Sequence, residues 1–427
     1  MELRSWAVTP RIRVSTTVVI SLLASALAEV AYADAALANA MFGGNAQRTG
    51  YAPFPGPMQE PEIVWQGATG FKNTVFDMAP TIDADGNLYS DIGSSWRAPE
   101  VGRTGGAISF DRNGNERWRK IFPNVHYGLS VPAMLHSERM AMGFRDGVVR
   151  AFACDSGSVI REHDTGEAMI ISAPVVDRRS ELYISTLGKG GVYKLDGKSG
   201  KPAWRCEFQD GSGAAPALSH DEKTVYVGWN EYEPGLYALD AETGGVKWKW
   251  DPEGEFYFDW CSPVVGRDGT VYQQNEKDGA LFALDDRGTS AHMKWTYIPG
   301  GELDDAPRTP ATDGTTLFLG ASGIDPQFTA LATDGRVLWT REFPGKVEMA
   351  NIVVNDAAVY FPVTVPDGGA GWIYALDKRD GRELWRKKVT HDDSDAGGVT
   401  LGANGVLYVG TSGTEKHPHE GVLVAMK

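Results

Sequence analysis

The chain has 427 residues, 42% of them hydrophobic, 23% charged and 10% aromatic, and it carries a formal net charge of -15 at pH 7. These proportions describe a globular protein with ample material for a large core, and they exclude a disordered, collagen-like or multi-span membrane chain. Glycine, at 51 residues, takes about 12% of the chain against a usual share of roughly 7%; with 23 prolines it implies many tight turns and an all-β fold.

The first 33 residues stand apart. Arg4, Arg11 and Arg13 form a basic start, Val18 to Ala28 is an uncharged apolar run, and Ala31-Tyr32-Ala33 is a small-x-small cleavage site. That order predicts a secretory signal peptide over 1–33, and the apolar run is too short to span a bilayer. A periplasmic or secreted location follows. With no cysteine beside the cleavage site, neither a lipid anchor nor a membrane span is expected. Leaving out that segment's three Arg and two Glu gives 38 basic against 54 acidic residues, a net charge of -16. A field of that sign repels nucleic acid and anionic lipid. Residues 34–61 read as an N-terminal extension ahead of the repeats.

From residue 62 to 427 the sequence is periodic. Gly114-Asn-Glu-Arg-Trp118, Gly200-Lys-Pro-Ala-Trp204, Gly244-Gly-Val-Lys-Trp248, Gly335-Arg-Val-Leu-Trp339 and Gly381-Arg-Glu-Leu-Trp385 each place Trp four residues after a turn glycine. Trp65 and Trp295 fit with altered turns, whereas the second unit has Ile160-Arg161 where Trp is expected. Trp65 to Trp385 covers seven intervals of about 46 residues, a propeller-like period. Ahead of most Trp positions stands an alternating run ending in Asp, such as Leu236-Tyr-Ala-Leu-Asp240 or Ile373-Tyr-Ala-Leu-Asp377. A second run, such as Thr224-Val-Tyr-Val-Gly228, comes before it, and a short segment opening with Pro before that. Short period-two runs between Asp-Gly and Asn-Gly turns are β-strands. Each unit is therefore a four-stranded blade, strands a to d from the axis outward.

Eight blades follow. The last, Leu423-Val-Ala-Met426, stops at strand c, while Glu62-Ile-Val-Trp65 is a strand d with nothing ahead of it. Pairing the two closes the ring and covers a sheet edge. Trp118 and Trp339, on outer strands, are expected between blades. Cys154, Cys206 and Cys261 include no adjacent pair and no C-x-x-C, so they read as small core residues, with at most one disulfide and no thiolate zinc site.

The run from Asp240-Ala-Glu-Thr-Gly244 to Trp248, with Ala-Leu-Asp before it and Ala-Pro opening the blade, resembles the repeat of quinoprotein-type (pyrroloquinoline-quinone-like) propellers. Phe42-Gly-Gly-Asn-Ala-Gln-Arg-Thr-Gly50 resembles the N-terminal signature of exported members. The resemblance implies an eight-bladed propeller but divides on function. Its dehydrogenase branch implies adjacent cysteines stacked on a quinone, calcium ligands and a catalytic Asp, on chains of roughly six hundred residues. This sequence has no such cysteine pair and no haem motif. Its non-catalytic branch includes the propeller subunit of outer-membrane β-barrel assembly, similar in size and blade number. No cofactor is expected, and His417-Pro-His419, the only close histidine pair, reads as a solvated turn rather than a metal site.

The a–b and c–d turns share one face and are short and alike; the b–c turns and d-to-a links share the other and are irregular. The surplus tryptophans Trp96, Trp229, Trp260 and Trp372 map to that irregular face, with Phe76, Tyr232 and Phe256 to Phe258. Exposed aromatics beside a few charges at a propeller mouth suggest a binding surface. The candidate ligand-binding residues are Trp96, Arg97, Arg145, Trp229, Trp260, Asp304, Asp305 and Arg308, for a protein, small-molecule or glycan ligand. A ligand- or protein-binding module is the leading expectation. A lyase or hydrolase using His126 and Tyr127 as acid and base is the alternative.

Overall fold

The computed structural model describes residues 39–427 apart from 71–73, 77, 95–103, 124, 126–129, 137–138, 167–168, 189, 230–233, 253–255, 259, 301–308, 322–325, 344–351, 365–369, 393 and 414–420. The predicted signal peptide therefore lies outside the described residues. Eight antiparallel sheets follow one another around a ring. Blade 1 has strands Thr81–Ile82, Leu88–Ser94, Thr104–Phe110 and Glu116–Pro123, with a further short strand, Thr74–Val75, beside the end of its strand b. Blade 2 runs through Ala133–His136, Arg139–Gly143, Val148–Ala153 and Val159–Asp164, and blades 3 to 7 repeat the order as far as Glu383–Asp392. Among the described residues no helix is long and apolar enough to cross a membrane.

Ring closure is as predicted. Blade 8 takes Ala396–Leu401, Leu407–Thr411 and Val422–Met426 from the C-terminus, and its outer strand is Ile63–Ala68. Ile63 pairs with Met426 and Ala68 with Val422. Beyond the strands, Glu62 and Lys427 exchange backbone hydrogen bonds in both directions.

The outer-strand tryptophans explain the repeat. Five of them, Trp65, Trp118, Trp204, Trp295 and Trp339, reach the c–d turn of the following blade at a glycine that leaves room for the ring. A Cβ on Gly244, whose φ is +76°, would stand 2.7 Å from the Trp204 ring. Only glycine meets both that backbone conformation and that approach. The indole N–H of Trp204 goes to the Ala241 carbonyl, that of Trp118 to Cys154 and that of Trp339 to Lys378. Trp118 and Trp339 are buried between blades, as expected. Trp385 has no such turn ahead of it, because blade 8 is assembled from both ends of the chain. Its N–H goes to the Pro57 carbonyl, so the N-terminal segment stands in for the missing turn.

Residues 39–61, read as an extension ahead of the propeller, pack into the ring. The segment from Asn39 to Ala52 follows the inner edges of the innermost strands and bonds to every blade. The carbonyls of Asn39, Ala40, Ala46, Gln47, Thr49 and Gly50 accept N–H groups of Ile82, Met134, Leu218, Val265, Thr312 and Val354, in blades 1, 2, 4, 5, 6 and 7. The Arg48 side chain reaches the Ala173 carbonyl at the start of blade 3, and the Asn39 amide donates to Leu401 of blade 8. Gly50, at φ +66°, lies so close to blades 6 and 7 that a Cβ would meet the Ile352 carbonyl and the Ala311 side chain.

Candidate binding face

The segment across the inner strands lies toward their a–b ends, where Gln47 reaches the Leu218 and Ser219 carbonyls and Asn355 donates to Phe54. Its anchor is Arg48, fully buried, which donates to the carbonyls of Phe42, Ala173 and Pro216. Burial without a carboxylate partner among the described residues lowers the Arg48 pKa to about 9. Phe42 packs behind it with Val131, Ala173 and Ala215, residues that precede the innermost strands. The a–b end of the axis is thus occupied by the chain itself, and the irregular face remains at the opposite end.

Seven of the predicted site residues fall outside the described residues: His126 and Tyr127, and Trp96, Arg97, Asp304, Asp305 and Arg308. Arg145 sits half-buried in the b–c turn of blade 2, its carbonyl accepting the Met169 N–H from the next link. Trp229 corrects the expectation that its ring would be exposed at the mouth. It ends strand b of blade 4 and is completely buried. Its ring stacks on Phe208 with centroids 3.9 Å apart, and its N–H reaches the buried Asp210 carboxylate at 2.6 Å. An indole whose faces and N–H are all satisfied inside has none left for a ligand. Phe76 and Phe258 are buried as well, and Trp372 lies within strand c of blade 7, paired with Lys388, rather than in a loop.

Trp260 fits the expectation better. It is half-buried on the link between blades 4 and 5. That link is fixed from below: Phe256 and Phe258 pack on Phe282 with centroids 5.4 and 6.3 Å away, and Trp250 closes the cluster. Tyr257 between them is exposed, while its backbone N–H goes to Asn275 and its carbonyl accepts from Glu276. Two rings are therefore offered on a link held by an aromatic cluster. Sequence reasoning missed Asp210 and Phe208, which no repeat position marks, and it placed Arg48 only inside a motif without a role.

A family model described as outer membrane protein assembly factor BamB matches residues 188–307 and 295–417, more than half of the chain. The chain belongs to that family. Among solved structures, BamB from Moraxella catarrhalis is 17% identical with a TM-score of 0.61, covering 86% of this chain and 99% of that one. Quinohemoprotein alcohol dehydrogenase from Comamonas testosteroni is 14% identical with a TM-score of 0.70, over 92% of this chain and 83% of that one. A europium-containing methanol dehydrogenase is 13% identical with a TM-score of 0.70, over 91% and 97%. Likeness at such identities is one of fold. A search of curated proteins finds no match. The dehydrogenases raise the question of a quinone and its metal. Among the described residues no three His, Cys, Asp or Glu side chains could together hold a metal ion. Cys154, Cys206 and Cys261 lie far apart in sequence with no disulfide among them, and burial raises the Cys154 pKa to about 12. The described residues do not fit the quinone–calcium pair.

Proposed function

We propose that this member of the BamB family is an exported, non-catalytic binding module that holds a protein partner on its irregular face, around the link that carries Tyr257 and Trp260. The observation that carries this reading is the chain's own occupation of the a–b end of the axis, in contact with all eight blades. That leaves the b–c and d-to-a side as the approach to the centre, and there Tyr257 and Trp260 stand on a link anchored by aromatic packing. Exposed rings on a rigid support are what protein interfaces use as anchors. The family's description as an outer membrane protein assembly factor supports a protein rather than a metabolite as the ligand. The basic start, apolar run and cleavage site within 1–33 support export.

The test places a photoreactive phenylalanine analogue in turn at Arg145, Tyr257 and Trp260, and at Asp334 and Arg379 on the opposite face, in cells that export the protein. Covalent adducts with another protein are expected at Tyr257 and Trp260. Adducts confined to Asp334 and Arg379, or none at Tyr257 and Trp260, would overturn the reading.

A further inference from the structure

Asn-Gly occurs twice in the sequence, as Asn113-Gly114 in the c–d turn of blade 1 and as Asn404-Gly405 in the a–b turn of blade 8. The two turns share a backbone conformation. Gly114 has φ +84° and Gly405 +77°, and each donates its N–H at 3.0 Å to the carbonyl three residues earlier, Asp111 and Gly402. Both asparagines are exposed, but their side chains are held differently. The Asn404 amide donates to the Tyr408 hydroxyl at 3.0 Å, and its oxygen accepts the Val406 N–H at 3.2 Å. In blade 1 those duties fall to neighbours: the Asp111 carboxylate accepts the backbone N–H groups of Asn113 and Asn115 and the Asn115 amide. Among the described residues the Asn113 side chain has no hydrogen-bond partner.

This loosely held asparagine sits in the turn that receives the seam of the ring. Trp65, on the outer strand that closes blade 8, donates its indole N–H to the Arg112 carbonyl at 3.3 Å. Its ring lies over Gly114, where a Cβ would stand 2.5 Å away. Asn113 is the one residue between that acceptor and that floor, so a main chain lengthened there moves one against the other.

We propose that Asn113 is a site of spontaneous deamidation, and that the isoaspartate formed there frees Trp65 and loosens the ring at its seam. The Gly114 nitrogen, its proton lost to solvent base, bonds to the side-chain carbonyl carbon of Asn113, and ammonia leaves. Water then opens the resulting succinimide. Breaking the bond from nitrogen to the side-chain carbon gives aspartate. Breaking the bond to the main-chain carbon gives isoaspartate, whose extra methylene lies in the main chain. Glycine suits the first step because no side chain shields the nitrogen. At Asn404 the same step must first free an amide bonded at both ends. Water is the only reactant, and the site is independent of the link that carries Tyr257 and Trp260.

The test stores the full-length protein in mildly alkaline buffer, locates isoaspartate by mass spectrometry of its peptides and follows melting on the same samples. Isoaspartate is expected at Asn113 about tenfold or more faster than at Asn404, as the loss of two hydrogen bonds implies. In concentrated urea the two sites should react alike. Stored protein should show a second, lower melting transition whose size follows the isoaspartate content. Asn113→Gln, whose longer side chain disfavours the five-membered ring, should not develop it. Asn113→Asp, which adds the charge without the main-chain methylene, should melt with the parent. Comparable rates at Asn113 and Asn404 in the folded protein, or a gap that persists in urea, would overturn the site. Melting unchanged by isoaspartate at Asn113, or lowered equally in Asn113→Asp, would overturn its effect on the seam.

Discussion

Trp118 and Trp339 each bury an indole against the next blade and donate its N–H to a turn carbonyl. Replacing either with Ala should cost about 3–5 kcal/mol, read from the urea midpoint at constant slope. Trp229→Ala belongs in the same range, since it empties a stacked site beside Phe208 and leaves the buried Asp210 carboxylate without this donor. Trp260→Ala, on a half-buried ring, should move the midpoint far less. Trp118 and Trp229 show what a sequence reveals and what it hides. Trp118 recurs with its neighbours at the blade period, so both its strand and its direction are readable. Trp229 is conspicuous only as surplus to the repeat, and surplus suggested exposure. Its direction is decided by Phe208 and Asp210, which arrive from a link without periodic pattern.

At the scale of an element, the segment from Asn39 to Ala52 makes most of its bonds through backbone groups, which leave no side-chain signature. Only its glycines and Arg48 mark it in the sequence, and they identified a motif without placing it. Arg48 is the point at which the segment can be tested. Arg48→Ala strands the carbonyls of Phe42, Ala173 and Pro216 in the interior, at about 1–3 kcal/mol for each group left unpaired. A lowered urea midpoint of that order is expected. Arg48→Lys, whose single ammonium group lacks the planar fork, should recover only part of it. A variant as stable as the parent would mean that the backbone bonds alone hold the segment.

For the molecule as a whole, the ring depends on both ends of the chain. A protein starting at Gly70 loses the outer strand of blade 8 and every contact of the segment before it. It should aggregate or melt well below the chain that keeps residues 34–69, as followed by light scattering during a thermal ramp. The eight blades and their closure were legible beforehand because an incomplete last blade and an unattached first strand each implied the other. The occupation of the axis was not, because nothing periodic announces it.

The clasp between Ile63 and Met426 also orders events in time. Residues 39–68 leave the ribosome long before their partners, which include Leu401 and Val422 to Met426, are made. For nearly all of synthesis the leading segment has no completed ring to enter and the growing sheets have no closed edge. Contacts so distant in sequence slow folding and prolong the interval in which bare strands can pair wrongly. The finished ring can therefore appear only after Met426 has left the ribosome. The export proposed above would gain from that delay, since the chain would reach the translocation machinery before it could lock.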